Sequence, residues 1–396
     1  MMDLSVLSAI LKEDYLGPLR SVLNVATPVL SRLVKNTKDI KGSEAVIPIR
    51  FRNQQGIGAR AEKGVLPAAV DSVYKEARPV LKYYYGAVEL TGQAVRQTEK
   101  GDKSAFLRAI DSEVKSLKES LPVAMAHDFY LGHRLATCGV TGASTTVVLN
   151  DDSNMFYFED VMRIDIVDAA TGLTVVASGR VVNSMDAVNK TITISGAAVT
   201  TAATDIVVRE STYGNCVTGL DSIIDSAGSL YGIDPASYPK WASFEQNAGT
   251  FSLSEMKKFI DNIVKQSGKY PSVLISNFEV QGMYLDLVQA NPRFLTGEPK
   301  MLDGGFKSLQ YSAGGSPITW LADRLAPAKT LYALYEPDLQ VFSPADFDFL
   351  ADDKGAVWHR NLGGASATDT MKAILFRDIE LGCYARNSHG KWTGIA

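Results

Sequence analysis

The sequence predicts an α+β chain with a small all-β domain inserted into it. Two β-prone runs flank a long polar loop between Ala45 and Leu90, and apolar residues recur at steps of three and four from Phe106 to Leu121. Short alternating strands at 145–210 then give way to a strand and helix pattern after Gly219. At 396 residues the chain has room for two or three compact units.

Residues 1–44 read as an N-terminal arm. Leu4, Leu7, Ile10 and Leu11 stand at helical spacing until Gly17-Pro18, and a second apolar stretch, Val22 to Val34, is interrupted by Pro28. Neither piece can build a core alone, so the arm is expected to pack on something else. Residues 45–90 read as an extended β-hairpin loop. Val46, Ile47, Ile49 and Phe51 form its outgoing run, and Val80 to Leu90, with Tyr83, Tyr84 and Tyr85, is read as the returning strand. The tip, Asn53 to Gly64 followed by a link through Pro67, reads as polar and mobile. A two-stranded hairpin cannot bury both faces by itself, so it requires a partner in cis or in trans.

Residues 91–144 hold the longest predicted helix. Asp102 is placed to cap it, and Phe106, Ile110, Val114, Leu117 and Leu121 form one stripe. Pro122 is expected to kink or break it before Met125 to Leu135 continues. Residues 145–212 form the inserted β domain. Met162, Ile164 and Ile166 alternate with Arg163 and Asp165, and strands follow at Leu173–Ala177, Arg180–Val182, Thr191–Ser195 and Ile206–Arg209. Residues 213–341 read as α/β: Ser252 and Glu255 make a capping box, Met256, Phe259, Ile260, Ile263 and Val264 a buried stripe, and Gly268 a stop. Strands are expected at Val273–Ile275, Ile318–Leu321 and Leu331–Tyr335, with a helix capped by Asn277. Residues 342–396 return through the molecule, with Lys372 to Tyr384 as one long strand.

Composition excludes several function classes. Forty Lys and Arg against forty-four Asp and Glu give a net charge of −4, the wrong sign for a whole-chain electrostatic grip on nucleic acid. No apolar run approaches a membrane span, so no membrane partner is expected. Cys138, Cys216 and Cys383 form no disulfide framework or metal spacing, which fits a reducing, intracellular site of synthesis. The N-terminus lacks the basic start and cleavage site of a signal peptide.

The search for chemistry comes back nearly empty. Gly268-Lys269 is followed by Tyr270, so it is no phosphate loop, and Gly56-Ile57-Gly58 opens no strand-to-helix turn. His127 and His133 are six apart, which does not place two imidazoles on one helix face. The Gly364-Ala365-Ser366-Ala367 run continues to Thr368 where a nucleophile elbow needs Gly. The acidic pairs Asp151-Asp152, Asp346 with Asp348, and Asp352-Asp353 leave one enzymatic alternative, a metal-dependent activity, though no calcium-loop pattern surrounds them. No catalytic, cofactor or metal residue is therefore assigned, and no cofactor is expected.

Charge is distributed more tellingly. Arg32, Lys35, Lys38, Lys41, Arg50, Arg52, Arg60 and Lys63 face only Asp39, Glu44 and Glu62 within the same segment, a local balance of +5 that leaves −9 for the rest. Glu336, Asp338, Asp346, Asp348, Asp352 and Asp353 concentrate the opposite sign. Together with Leu4, Leu7 and Leu11, the basic set is the candidate contact surface of the arm and hairpin. The acids are the candidate docking surface on another copy, because complementary charge sets register and partner choice.

This order of elements resembles the major capsid protein fold of tailed bacteriophages, shared with encapsulin shells and herpesvirus capsid floors. Tyr85-Gly86-Ala87-Val88-Glu89-Leu90-Thr91 resembles that family's passage from hairpin to spine helix. The ending Arg386-Asn387-Ser388-His389-Gly390-Lys391-Trp392-Thr393-Gly394-Ile395 resembles its C-terminus, and Arg163 to Gly172 a β insertion found in some members. The resemblance implies peripheral and axial domains, with the spine helix at 102–135 and the axial domain centred on 219–335. It implies a non-enzymatic structural protein whose many copies assemble, as pentamers and hexamers, into an icosahedral or prolate shell around double-stranded DNA held by confinement. A separate scaffolding protein, a portal and a decoration or cement protein are the further partners implied, with assembly in the host bacterial cytoplasm and residence in the virion capsid. Some relatives lock the shell by a Lys–Asn isopeptide bond, for which Lys63 with Asn361 or Asn387 are the candidates here. An encapsulin-like nanocompartment shell is the alternative within the same fold.

Overall fold

The computed structural model describes residues 32–91, 103–150, 155–169, 171, 175–290, 309–313, 316–351, 355–360 and 369–396. Its axis is a single long strand, Thr370–Cys383, close to the run expected there. Alternate residues of this strand are buried, among them Met371, Ala373, Leu375 and Ile379, as the two-residue pleat requires. It pairs antiparallel with Lys82–Thr91 over ten residues, from Thr370 opposite Thr91 to Ile379 opposite Lys82. Its far end pairs with Leu339–Phe342, which takes Val34–Asn36 as a parallel neighbour.

This pairing corrects the hairpin reading. The run at Val80–Leu90 does not return to the outgoing strand. Ile47–Arg52 pairs instead with Val73–Ala77, a shorter segment whose polar Lys75 and Glu76 hid its strand character. Lys82–Thr91 belongs to the peripheral sheet, where its central Gly86 admits the spine helix. A Cβ at Gly86 would stand 2.6 Å from Leu117 Cδ1.

The helix runs unbroken over Lys103–Leu131, with Pro122 inside it. The expected break does not occur, because Val114, Leu121, Met125, Ala126 and Phe129 bury one continuous face and packing outweighs the single missing hydrogen bond. Gly132, at φ +64, ends it. Asp102, its expected cap, lies outside the described residues.

The β unit starts earlier than residue 145. Arg134–Thr137 is the first strand of a six-stranded sheet, in which Asp205–Arg209, Arg163–Asp168, Val175–Asp186, Thr191–Ile194 and Thr146–Val148 follow in spatial order. Thr141–Ser144 pairs with Val199–Thr201 beside it. The two short strands expected between 173 and 182 are one bent strand, with Gly179 at φ +59 where the register shifts.

The axial unit is a mixed sheet ordered Phe244–Gly249, Gly390–Ile395, Leu331–Leu334, Val273–Ser276, Ser316–Ala322 and Leu309–Ala313. The helix Leu253–Ser267 covers one face. Ser252 accepts the Glu255 amide at its start, and Gly268 closes it at φ +74, as the capping pattern predicts. Its buried stripe of Met256, Phe259, Ile260 and Ile263 meets Trp320 and Trp392 in a core separate from the larger one under the spine. Among the described residues no helix is long and apolar enough to cross a membrane.

Candidate assembly surface

The hairpin is anchored at its base and uncovered at its tip. Ile47 and Phe51 point inward while Pro48, Arg50 and Arg52 stay exposed. Phe51 packs against Tyr238 at 4.8 Å and edge-on to Trp241 at 5.9 Å, between ring centroids. The Lys75 ammonium lies 5.7 Å above the Tyr238 ring. Beyond Arg52 the ladder ends. Residues 53–72 hold no strand, and their folding rests on local contacts, such as Gly64 N to Ala61 O at 2.9 Å and Arg60 Nε to Val65 O at 2.8 Å.

The tip is less polar than its sequence suggested. Ile57 is 83% exposed, Val65 88% and Leu66 81%, with Val70 and Tyr74 also open to solvent. Several large apolar side chains exposed on one extension make the tip a candidate interaction site. Burying each would stabilise a contact by roughly 1.5–3 kcal/mol. These residues escaped the sequence reading because Gly, Gln and Arg neighbours gave the stretch a polar average; an apolar Val-Leu pair immediately before Pro67 was the available signal.

The charged set divides in two. Arg32 Nε donates to Glu336 Oε1 at 2.7 Å, and Lys35 Nζ lies 2.9 Å from Asp346 Oδ1. Asp338 is held by Lys269 at 2.6 Å, and the buried Arg377 approaches Asp346 at 3.7 Å. Glu336, Asp338 and Asp346 thus already have cationic partners within the chain. Asp348 lies at a strand pair with Phe376, and its Oδ1 accepts the Phe349 amide. On the hairpin, Arg52 and Arg60 reach backbone carbonyls, and among the described residues no carboxylate forms a salt bridge with Arg50, Arg52, Arg60 or Lys63. Lys38 and Lys41 are exposed beside the short turn that joins the arm to the hairpin.

Lys63 sits at the exposed tip in a left-handed conformation, φ +65. Asn387 lies in the turn before the last strand, its Nδ2 3.5 Å from Gln266 O. Leu4, Leu7, Leu11, Asp352, Asp353 and Asn361 lie outside the described residues. Asp151 and Asp152 lie outside the described residues as well; among the described residues no group of three or more His, Cys, Asp or Glu side chains converges.

Behind these surfaces, buried polar groups bind the units together. Arg386, fully buried, donates to the carbonyls of Ser222, Ile223 and Gly228. Lys391 bridges Asp221 at 2.8 Å and Glu245 at 2.9 Å, and Asp221 also receives Arg134 from the β unit at 2.9 Å. Tyr84 donates to Asp128 at 2.9 Å and accepts from the Val217 amide. Glu380 accepts the amides of Thr218 and Leu381; burial nevertheless pushes its carboxyl up to about 7. Burial pushes His389 down to about 4, and its Nδ1 accepts the Tyr335 amide.

A long strand near the C-terminus paired with Lys82–Thr91, a spine helix, an axial sheet and an extended hairpin make up the fold of tailed-phage major capsid proteins. Superposition on one solved structure supports this assignment of fold. The capsid asymmetric unit of cyanophage A-1(L) matches over 93% of this chain and 93% of its own, with 14% sequence identity and a TM-score of 0.55. A capsid protein of a native GTA particle matches over 92% and 89% respectively, with 10% identity and a TM-score of 0.47. A virus-like particle from Pyrococcus furiosus matches over 96% and 99%, with 9% identity and a TM-score of 0.39. The fold assignment rests on the first of these. Comparison with protein-family models returns no match. Comparison with curated protein sequences likewise returns none.

Proposed function

We propose that this chain is the major capsid protein of a tailed bacteriophage, a non-enzymatic subunit that builds a closed shell. The observation that carries the proposal is the hairpin tip: Ile57, Val65 and Leu66 stand uncovered on an extension whose base is firmly anchored. In a chain of this fold, a neighbouring subunit is the natural cover, and repetition of one such contact around a closed symmetry makes rings. The shell is read as pentamers and hexamers in an icosahedral or prolate arrangement, enclosing double-stranded DNA held by confinement, to which a net charge of −4 is no obstacle.

The hairpin cations Arg50, Arg52, Arg60 and Lys63 are proposed to set the hairpin's register on the neighbour's acids, with the arm, through Leu4, Leu7 and Leu11, as a second contact. A scaffolding protein, a portal and a decoration protein on the β unit complete the proposed partners, with assembly in the host cytoplasm. Electron microscopy of the purified protein tests the reading. Hollow particles or ring-shaped capsomers are expected, and a protein that stays monomeric at high concentration, with or without a co-expressed scaffold, overturns it.

A further inference from the structure

The junction of the spine helix, the β unit and the axial sheet lines a cavity of about 370 Å3 that opens to solvent. Leu131 at the helix end, Arg134 on the first strand of the β unit, and Asp221, Lys329 and Tyr332 of the axial unit form much of its wall. At ~30 Å3 per water in the liquid, it could hold about a dozen waters or a ligand of similar bulk.

Tyr332 is fully buried, yet its hydroxyl has no hydrogen-bond partner in the protein. A buried polar group left in that state normally has an unseen partner. Burial first, and then the nearby Asp221 carboxylate, hold its proton on, so the group is a donor across the neutral range. Two cations face the same space. Arg134 uses Nη2 for Asp221 Oδ2 at 2.9 Å, which leaves other guanidinium N–H groups. Lys329 is half-buried, and among the described residues no carboxylate forms a salt bridge with its ammonium. The one carboxylate in this group, Asp221, is already shared between Arg134 and Lys391. Arg134 and Lys329 against the single carboxylate of Asp221 leave the lining with a net positive charge, with the hydroxyl-bearing Thr137, Thr330 and Thr393 also on the wall. Lys329 is moreover held at φ +52, unusual for a side-chain-bearing residue, while the Ile395 amide donates to its carbonyl.

We propose that this cavity is a binding site for a small oxyanion, a phosphate or carboxylate group, received by the Tyr332 hydroxyl, the Arg134 guanidinium and the Lys329 ammonium. Such a ligand would tie the β unit to the axial unit at the point where both meet the spine. The inference is independent of the capsid reading, since none of these residues lies on the hairpin or arm.

Titration calorimetry of the full-length protein with inorganic phosphate and, separately, with citrate tests it, against chloride at matched ionic strength. Saturable binding of one of the two anions at one site per chain is expected. Tyr332→Phe, which removes a single oxygen and keeps the ring, should weaken it about tenfold, and Lys329→Gln should weaken it as well. No saturable binding of either anion, or both variants binding like wild type, overturns the proposal. A high-resolution density map showing only ordered water in the cavity after soaking with both anions overturns it equally.

Discussion

Arg32 and Glu336, 304 positions apart in sequence, form a two-pronged ion pair, with Nε to Oε1 at 2.7 Å and Nη2 to Oε2 at 3.2 Å. Lys35 and Asp346 make a second pair nearby, and between them Val34–Asn36 adds as a parallel strand to Leu339–Phe342. Charge and backbone thus hold the root of the arm on its own chain. Among the described residues, Arg50, Arg52, Arg60 and Lys63 of the hairpin form no such ion pair, whereas Arg78 at its base pairs with Glu44 and Glu76.

Arg32→Ala should cost less than ~1 kcal/mol of global stability, because both side chains are partly exposed and the pair is screened. Its local effect should be larger. Hydrogen exchange at Val34–Asn36 is expected to speed up in the variant, and in the wild type on adding salt. Unchanged protection would show that the strand pairing alone holds the root.

Replacing Ile57, Val65 and Leu66 together by Ser should leave subunit stability within about 0.5 kcal/mol, since none of the three is buried. Assembly should fail or stop at small rings. Sedimentation velocity with electron microscopy reads this directly, and normal shells from the triple variant would remove the tip from the contact.

Gly219 is enclosed by backbone. A Cβ there would meet Gly132 N at 2.4 Å and Tyr130 O at 2.8 Å, neither of which can swing aside. Gly219→Ala should cost about 3 kcal/mol or more by forcing the spine helix end away from the axial unit. Gly142→Ala, where nothing lies within 4 Å, should be near neutral. Denaturant unfolding of the two variants gives the comparison.

Two buried groups set opposing pH dependences. Glu380, raised to about 7, contributes stability that is complete below its ordinary value near 4.5 and is lost as pH rises through 7. His389, lowered to about 4, contributes stability present above 6.5 and lost as pH falls toward 4. Glu380→Gln should therefore gain on the wild type by up to roughly 3 kcal/mol between pH 5 and pH 8. Chemical denaturation across that range measures it, and a constant difference would mean that Glu380 does not titrate there.

Much of the architecture was legible before any coordinates. The Ser252 cap, the Gly268 stop and the stripe from Met256 to Ile263 are written in neighbours a few residues apart, and they fold as written. The long strand near the C-terminus was legible too, expected at Lys372 to Tyr384 and found at Thr370–Cys383. The candidate assembly surface was half legible. Its charges stood out as a local imbalance, whereas Ile57, Val65 and Leu66 became visible as a patch only when nothing in the fold covered them.

The sequence by itself determined most of the helices and strands, though not Val73–Ala77 or Arg134–Thr137, together with the order of the units and the opposed charges, because these follow from periodicity, caps and composition within short windows. Tertiary structure alone decided the partners: Val73–Ala77 rather than Val80–Leu90 returns to Ile47–Arg52, and Lys82–Thr91 joins a strand nearly three hundred residues away. It also decided that the helix continues through Pro122 and that Arg32 meets Glu336. The physical reason is that closing a longer loop adds only a slowly growing entropic cost, so distance along the chain hardly restricts which β-prone runs can pair. The choice falls to which pairing buries the apolar faces together, and that is a property of the whole fold.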